Sequence, residues 1–196
     1  MSDTPVDQGR RTWVAITAGA GAIGGVAAAV PFVSTFAPSE RAKAAGAAVE
    51  ADIGSLKPGE KLTVEWRGKP VWILRRTKEQ LETLKKTDPQ VADPKSLRKP
   101  DELTPAYARN DYRSIKPEFL VAVGICSHLG CSPSDKLAPG SLSDDWQGGF
   151  ICPCHGSTFD MAGRVFKNKP APDNLEVPPH MYLSDTVLLI GEDKKA

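Results

Sequence analysis

The chain has 196 residues, room for one folded domain and a terminal appendage. Its formal net charge is +1, with no basic run interleaved with aromatics and no G-x-x-x-x-G-K loop, which argues against nucleic acid and a phosphate-cradling loop. Seventeen glycines and seventeen prolines favour a loop-rich, β-rich body over a helical bundle.

From Thr12 to Ser39 no residue is charged. A helix rises about 1.5 Å per residue and roughly 20 residues cross an apolar layer, so residues 12–38 read as a transmembrane anchor, even with Pro31 to kink it. "AGAGAIGGVAAAV" is mostly Gly and Ala, and Gly21 and Gly25 stand four apart, the spacing that lets a neighbouring helix approach closely. A buried core helix or a cleaved signal peptide is the alternative, although signal cores usually run only ~7–15 residues. Residues 1–11 read as a cytoplasmic start. Arg10 and Arg11 sit side by side there, as in a twin-arginine export signal or an ordinary basic flank. Residues 39–52, "SERAKAAGAAVEAD", are small, polar and alanine-rich and read as a flexible tether.

The body begins near Val49, and the folded domain is taken as 53–196. "KLTVEWRGKPVWILRR" predicts two strands joined by a tight turn at Arg67-Gly68. "TKEQLETLKK" predicts a short helix capped by Thr77, with Leu81 and Leu84 on one side. Residues 85–117 hold five prolines among many charges and read as a long surface insertion. "FLVAVGIC" predicts a buried strand, and "MYLSDTVLLIGE" a closing hairpin. His180 reads as an ordinary surface or strand histidine.

Two short stretches hold all four cysteines and two of the three histidines: "CSHLGC" (126–131) and "CPCHGS" (152–157). In extended chain, residues i and i+2 point the same way, so Cys126 and His128 are able to grip one centre, and Cys152 and His155 to do the same across a turn. Cys131 and Cys154 are then left over on facing loops, a natural disulfide, although four cysteines allow three pairings if all are oxidised. A tetrahedral zinc site is the structural alternative, against which the ligand spacing is unusual.

The two boxes resemble those of the Rieske iron–sulfur proteins, where one iron of a 2Fe–2S cluster sits on two cysteines and the other on two histidines. The additional Cys131 and Cys154 resemble the bridging pair of the Rieske subunit of cytochrome bc1 complexes, and "PAPDNLEVPP" (170–179) resembles that family's proline loop. The insertion looks like that of the bacterial branch. The resemblance implies an all-β fold of antiparallel strands with a small cluster-binding subdomain, its loops near 124–160 and a proline loop at 169–173. It implies metal ligands Cys126, His128, Cys152 and His155, a Cys131–Cys154 disulfide, and His155 as the residue that meets quinol. Three positions depart from the family pattern: Ser127 where threonine is common, Lys169 where glycine often precedes Pro-Ala-Pro, and Phe159 where many members carry tyrosine.

Hydrogen bonds to sulfur stabilise a reduced, more negative core. Ser157 and backbone amides around Gly130 and Gly156 are the expected donors, and Phe159 is unable to donate. Leu129, Pro170, Ala171 and Pro172 are expected to form the rim that docks on a partner. The function implied is electron transfer from ubiquinol, at a site shared with cytochrome b, to cytochrome c1, by movement of the head. The implied setting is a dimeric complex of the cytoplasmic membrane, with the cluster domain on the periplasmic side, where a disulfide persists. A soluble Rieske ferredoxin and the small subunit of a molybdenum oxidase are the nearest rivals.

Overall fold

The computed structural model describes residues 7–39, 46–98 and 103–193. The chain separates into two units, Met1–Ala44 and Ala45–Ala196. The first is the helix α1, Gln8–Ser34, long and apolar enough to cross a membrane, with no residue buried against protein. It starts four residues before the charge-free run because the Asp7 carboxylate accepts the Arg10 N–H. Arg10 and Arg11 therefore lie within its first turns rather than ahead of it. It ends at Ser34, short of position 38: the Ser34 and Thr35 hydroxyls donate back to the Pro31 and Phe32 carbonyls, and Pro38 follows.

In the second unit the tether is shorter than the sequence reading gives it. Val49–Asp52 is strand β1, paired antiparallel with the last strand, Val49 opposite Ile190 and Asp52 opposite Val187. Ala51 and Ile53 are buried, the period-two pattern of a half-buried strand. Residues 40–45 of the expected tether lie outside the described residues.

The remaining strands are β2 (Lys61–Trp66), β3 (Lys69–Arg75), β4 (Phe119–Val123), β5 (Ser134–Lys136), β6 (Gly149–Ile151), β7 (Thr158–Phe159), β8 (His180–Tyr182) and β9 (Val187–Ile190). They form three antiparallel sheets in the orders β1-β9-β8, β2-β3-β4 and β5-β6-β7. The β2–β3 turn is made by Arg67 and Gly68, both at positive φ (52° and 70°), the primed turn that matches strand twist. Helix α2, Lys78–Thr87, follows β3 and carries a complete capping box: Thr77 accepts the Gln80 N–H, and Gln80 accepts the Thr77 N–H.

The central sheet is buried on both faces. Val71, Ile73, Val121 and Val123 pack with Ala51, Leu188 and Ile190 in one core. Trp72, Leu74, Leu120 and Ala122 face the other way, into a core shared with Phe150, Phe159, Cys126 and Cys152. Strand β4 is therefore apolar at every position, although the sheet is antiparallel. Gly124 follows it, and no larger residue fits there, since a Cβ would stand 2.2 Å from the Trp72 indole.

Two sequence expectations change here. Residues 85–117 are not a surface insertion throughout: Val91 bridges Phe166, and Val91, Asp93, Ser96, Ala108, Arg113 and Ser114 are buried. A fully buried arginine is tolerable because every donor finds an acceptor. Arg113 donates to Ser96 Oγ (2.7 Å), Thr104 Oγ1 (2.9 Å) and the carbonyls of Ala162, Gly163 and Leu175. Arg76 does the same for Tyr112, Met161 and Pro117, and Arg164 pairs at 2.8 Å with both Asp160 and Asp88. His180, in turn, lies on a strand but not at the surface, being 1% exposed. Its ring packs edge-on to Tyr107, and its Nδ1 lies 2.8 Å from the Pro178 carbonyl.

Two outcomes follow from these buried charges. Asp160→Asn leaves the Arg164 guanidinium buried beside a neutral amide, and is expected to cost about 3–5 kcal/mol in denaturant unfolding of the full chain. Burial holds the His180 pKa below the ordinary histidine value, against the opposing pull of Pro178 and Asp193. The unfolded chain then binds a proton that the folded chain refuses. This stability is fully present above about pH 6.5 and is lost as pH falls. A thermal melt from pH 7 to 5 should drop more for the native protein than for His180→Gln; parallel profiles would refute the assignment.

Candidate metal centre

The two boxes fold alike. The Cys126 N–H donates to the Cys131 carbonyl at 2.8 Å, and the Cys152 N–H to the Ser157 carbonyl at 2.7 Å. Inside each loop a glycine N–H returns to the leading cysteine: Gly130 to Cys126 O at 3.1 Å, Gly156 to Cys152 O at 2.9 Å. Both glycines have positive φ (81° and 72°), which a side chain would strain. The sequence reading assigns amides around these glycines to sulfur. The N–H groups of Gly130 and Gly156 themselves close the turns.

Each loop begins on a buried thiol, Cys126 and Cys152 both being 2% exposed. They are free and close enough to interact with each other. Burial, and then the neighbouring Cys152, push the Cys126 thiol up, while the His128 N–H and the Ser157 hydroxyl pull it down. Further along the loops the His128 and His155 rings meet edge to face, 4.7 Å between centroids. His128 is half-buried and His155 exposed. Cys131 and Cys154 are joined by a disulfide that ties the two loops across a sequence separation of 23. The Cys152 sulfur lies within 4.8 Å of both bridged sulfurs, but these are bonded to each other and offer no thiolate, so the trio is not a three-cysteine metal site.

The candidate donors are two free, buried thiols and two imidazoles that meet edge to face. His128 Nδ1 is buried and has no hydrogen-bond partner. A buried ring nitrogen without a partner is costly unless something else takes its lone pair. A two-iron centre with two sulfur and two nitrogen ligands fits these residues.

A third loop lies against both boxes. Ser127 Oγ donates to the Asp173 carbonyl (2.7 Å) and accepts the Asp173 N–H (3.2 Å), and Ser157 Oγ accepts the Ala171 N–H (2.9 Å). Pro170 and Pro172 face solvent, as does Leu129 at 70% exposure. Ala171 does not belong to that rim: it is 4% exposed and packs in the core with Cys126 and Cys152, drawn inward by its bond to Ser157. Phe159 is fully buried in the same core, opposite Phe150 across β6 and β7. Sequence reasoning missed Ser127 as a clip and Asn174 as a brace. Asn174 accepts the Val165 N–H and donates to Asp93 O and Ser96 Oγ. Both were in quoted motifs, but apart from Val165 their partners lie 46 to 81 residues away, beyond any local signal.

Comparison with known proteins points the same way. The family model described as the Rieske [2Fe-2S] domain matches residues 91–179. The ubiquinol–cytochrome c reductase iron–sulfur subunit of Allochromatium vinosum is 57% identical over 187 residues, covering 94% of this chain and 89% of that one. The subunit of the same name from Bradyrhizobium diazoefficiens is 41% identical, covering 93% and 94%, and that of Rhodospirillum rubrum 39% identical, covering 89% and 87%. With this domain matched and relatives this similar along nearly their whole length, the chain belongs to the Rieske family of iron–sulfur subunits and its cofactor is a 2Fe–2S cluster.

Proposed function

We propose that this chain is the electron-transfer subunit of a ubiquinol–cytochrome c reductase, taking an electron from ubiquinol at a site shared with cytochrome b and handing it to cytochrome c1. Cys126 and Cys152 would hold one iron, and His128 and His155 the other. When bound, the cluster supplies a one-electron acceptor that is neutral when oxidised, because two imidazoles replace two thiolates, and Rieske centres are known at roughly −150 to +300 mV.

The observation that carries the reading is the unequal exposure of the ligand set. Both thiols are buried at 2%, whereas His155 is open to solvent. A quinol gives up a proton with its electron. The His155 ring nitrogen that does not hold iron accepts the quinol hydroxyl proton and later releases it to water. His128, half-buried behind it, braces the ring edge to face. Leu129, Pro170 and Pro172 surround this tip with apolar surface for the partner.

Helix α1 anchors the chain in the membrane. The cluster domain belongs on the periplasmic side, in a dimeric complex; the disulfide favours an oxidising compartment and the twin arginines suit export of a folded domain. The stretch before β1, small and alanine-rich, serves as the tether on which the head moves between two partners.

Three measurements test this. The purified full chain should contain equimolar iron and acid-labile sulfide, and the reduced form a spin-resonance signal; a colourless zinc protein would overturn the assignment. Prolines at Ala47 and Ala48 should slow quinol turnover while leaving the midpoint potential native; unchanged turnover would remove the need for head movement. Phe159→Tyr supplies a hydroxyl beside the cluster core and should raise the midpoint potential in voltammetry; no rise would count against a donor role for that position.

A further inference from the structure

The segment after α2 has no role in the chemistry above, yet it grips the proline loop from behind. Asp93 builds the gripping turn: its carboxylate accepts the Leu97 and Arg98 N–H groups, each at 2.9 Å. Ser96 within that turn takes positive φ (54°) and is buried. Its hydroxyl accepts from Arg113 Nε at 2.7 Å and Asn174 Nδ2 at 3.1 Å. From this turn Arg98 reaches out, and its Nη1 donates to the Pro172 carbonyl at 2.8 Å. Arg113 reaches inward to the Leu175 carbonyl at 2.6 Å, and Asn174 donates to Asp93 O at 2.9 Å. The Val177 N–H donates to Leu103 O at 2.8 Å. Residues 172–177 are thus held at four points by one segment.

The proline loop in turn is hydrogen-bonded to the ligand loops through two serines, and Ser127 also donates to the Asp173 carbonyl. Pro170 and Pro172 have no N–H, so between 170 and 173 the amides are those of Ala171 and Asp173. Ala171 donates to Ser157 Oγ and Asp173 to Ser127 Oγ. Ser157 is fully buried in the second box, where its hydroxyl is the expected donor to the sulfurs of a bound cluster. An oxygen that accepts one hydrogen bond becomes a better donor in the next.

We propose that the turn 93–98 is a bracket that sets the position of the proline loop, and that Arg98 is a positioning residue. It acts through Pro172, then the Ala171 amide, on the buried Ser157 hydroxyl of the second box. The inference rests on the ligand assignment above. It adds that a residue remote from both cluster boxes controls how strongly Ser157 donates, and with it the ease of reduction. Loss of the prop lowers the potential, because a less polarised Ser157 hydroxyl stabilises the reduced core less.

Arg98 is exposed, so Arg98→Ala removes the prop without opening a core. The readouts are amide exchange by mass spectrometry on the loaded full chain in detergent, and voltammetry. In the variant, exchange over 170–173 should accelerate by about fivefold, the scale of one hydrogen bond near 1 kcal/mol, with β4 exchange unchanged. The midpoint potential should fall at unchanged iron and sulfide content, and Arg98→Lys, which keeps a donor, should restore most of both. Native exchange over 170–173, or a native potential, would overturn the proposal. Neither readout involves quinol. A native protein that fails to oxidise quinol would therefore sink the functional reading and leave the bracket standing.

Discussion

Both ligand loops are closed by the same pair of backbone hydrogen bonds, and the placement of every candidate ligand follows from that closure. The leading cysteine donates its N–H five residues ahead and receives a glycine N–H from four residues ahead. The loop is thereby too short to rotate about its own stem. The first cysteine must point into the core from which its strand emerges, while the residues at mid-loop must point out. Within this common frame His128 stands two residues after its cysteine and His155 three, so the two rings approach at right angles rather than in register. The disulfide then fixes one loop against the other. Two conformationally independent turns would each need to pay the entropy of meeting a metal. Cross-linked and pre-closed, they have already been ordered by the fold.

The subdomain that carries these loops has little regular structure of its own. Strands β5, β6 and β7 are two or three residues long, too short to satisfy the backbone of the segments between them. The buried arginines fill that gap. Arg76 and Arg113 direct their donors to carbonyls and hydroxyls outside the strands, where a ladder partner is absent, and Arg164 reaches Leu84 O and Thr87 Oγ1 in the last turn of α2. A planar fork with five donors is suited to this because it reaches several chain segments from one rigid group. Only Arg164 is matched by carboxylates at contact distance, Asp160 inside and Asp88 at the boundary. The charge is tolerated because it is spread over many dipoles, and the irregular backbone beneath the ligand loops becomes as fixed as a sheet.

How much of this was legible in the sequence depended on the range of the interaction that decides each feature. The β2–β3 hairpin, the capped helix α2 and the closing hairpin were readable because turn residues, a cap and strand alternation are local signals. Strand β1 was taken for tether because Val49 and Ala51 are too few to show a period, and their partner lies at the other end of the chain. Residues 85–117 looked like surface because they are charged and proline-rich. Arg113 is buried for a reason that no window shows, namely carbonyls 49 to 62 residues downstream. At the site, the cysteines and histidines declared themselves by rarity and spacing. Ala171 was read outward with its flanking prolines, since nothing in "PAP" reveals that the middle residue is pulled in by Ser157.

In the proposed reading, the burial of the candidate ligands separates what the two halves of the site have to do. Thiolates are poorly served by water when an electron is to be held at a defined energy, and here they sit in a core with Trp72, Phe150 and Phe159. Imidazoles that exchange protons need the opposite, an open path to solvent or substrate, and His155 has one. Placing both on a single short loop, Cys152 inward and His155 outward, fixes the electron-holding and proton-exchanging ends relative to each other. That arrangement tolerates no slack in the loop, since a rotation that exposed the thiol would withdraw the ring. The glycine-closed turn, the disulfide and the two serine clips all act on this one degree of freedom, which explains why so many restraints converge on so few residues.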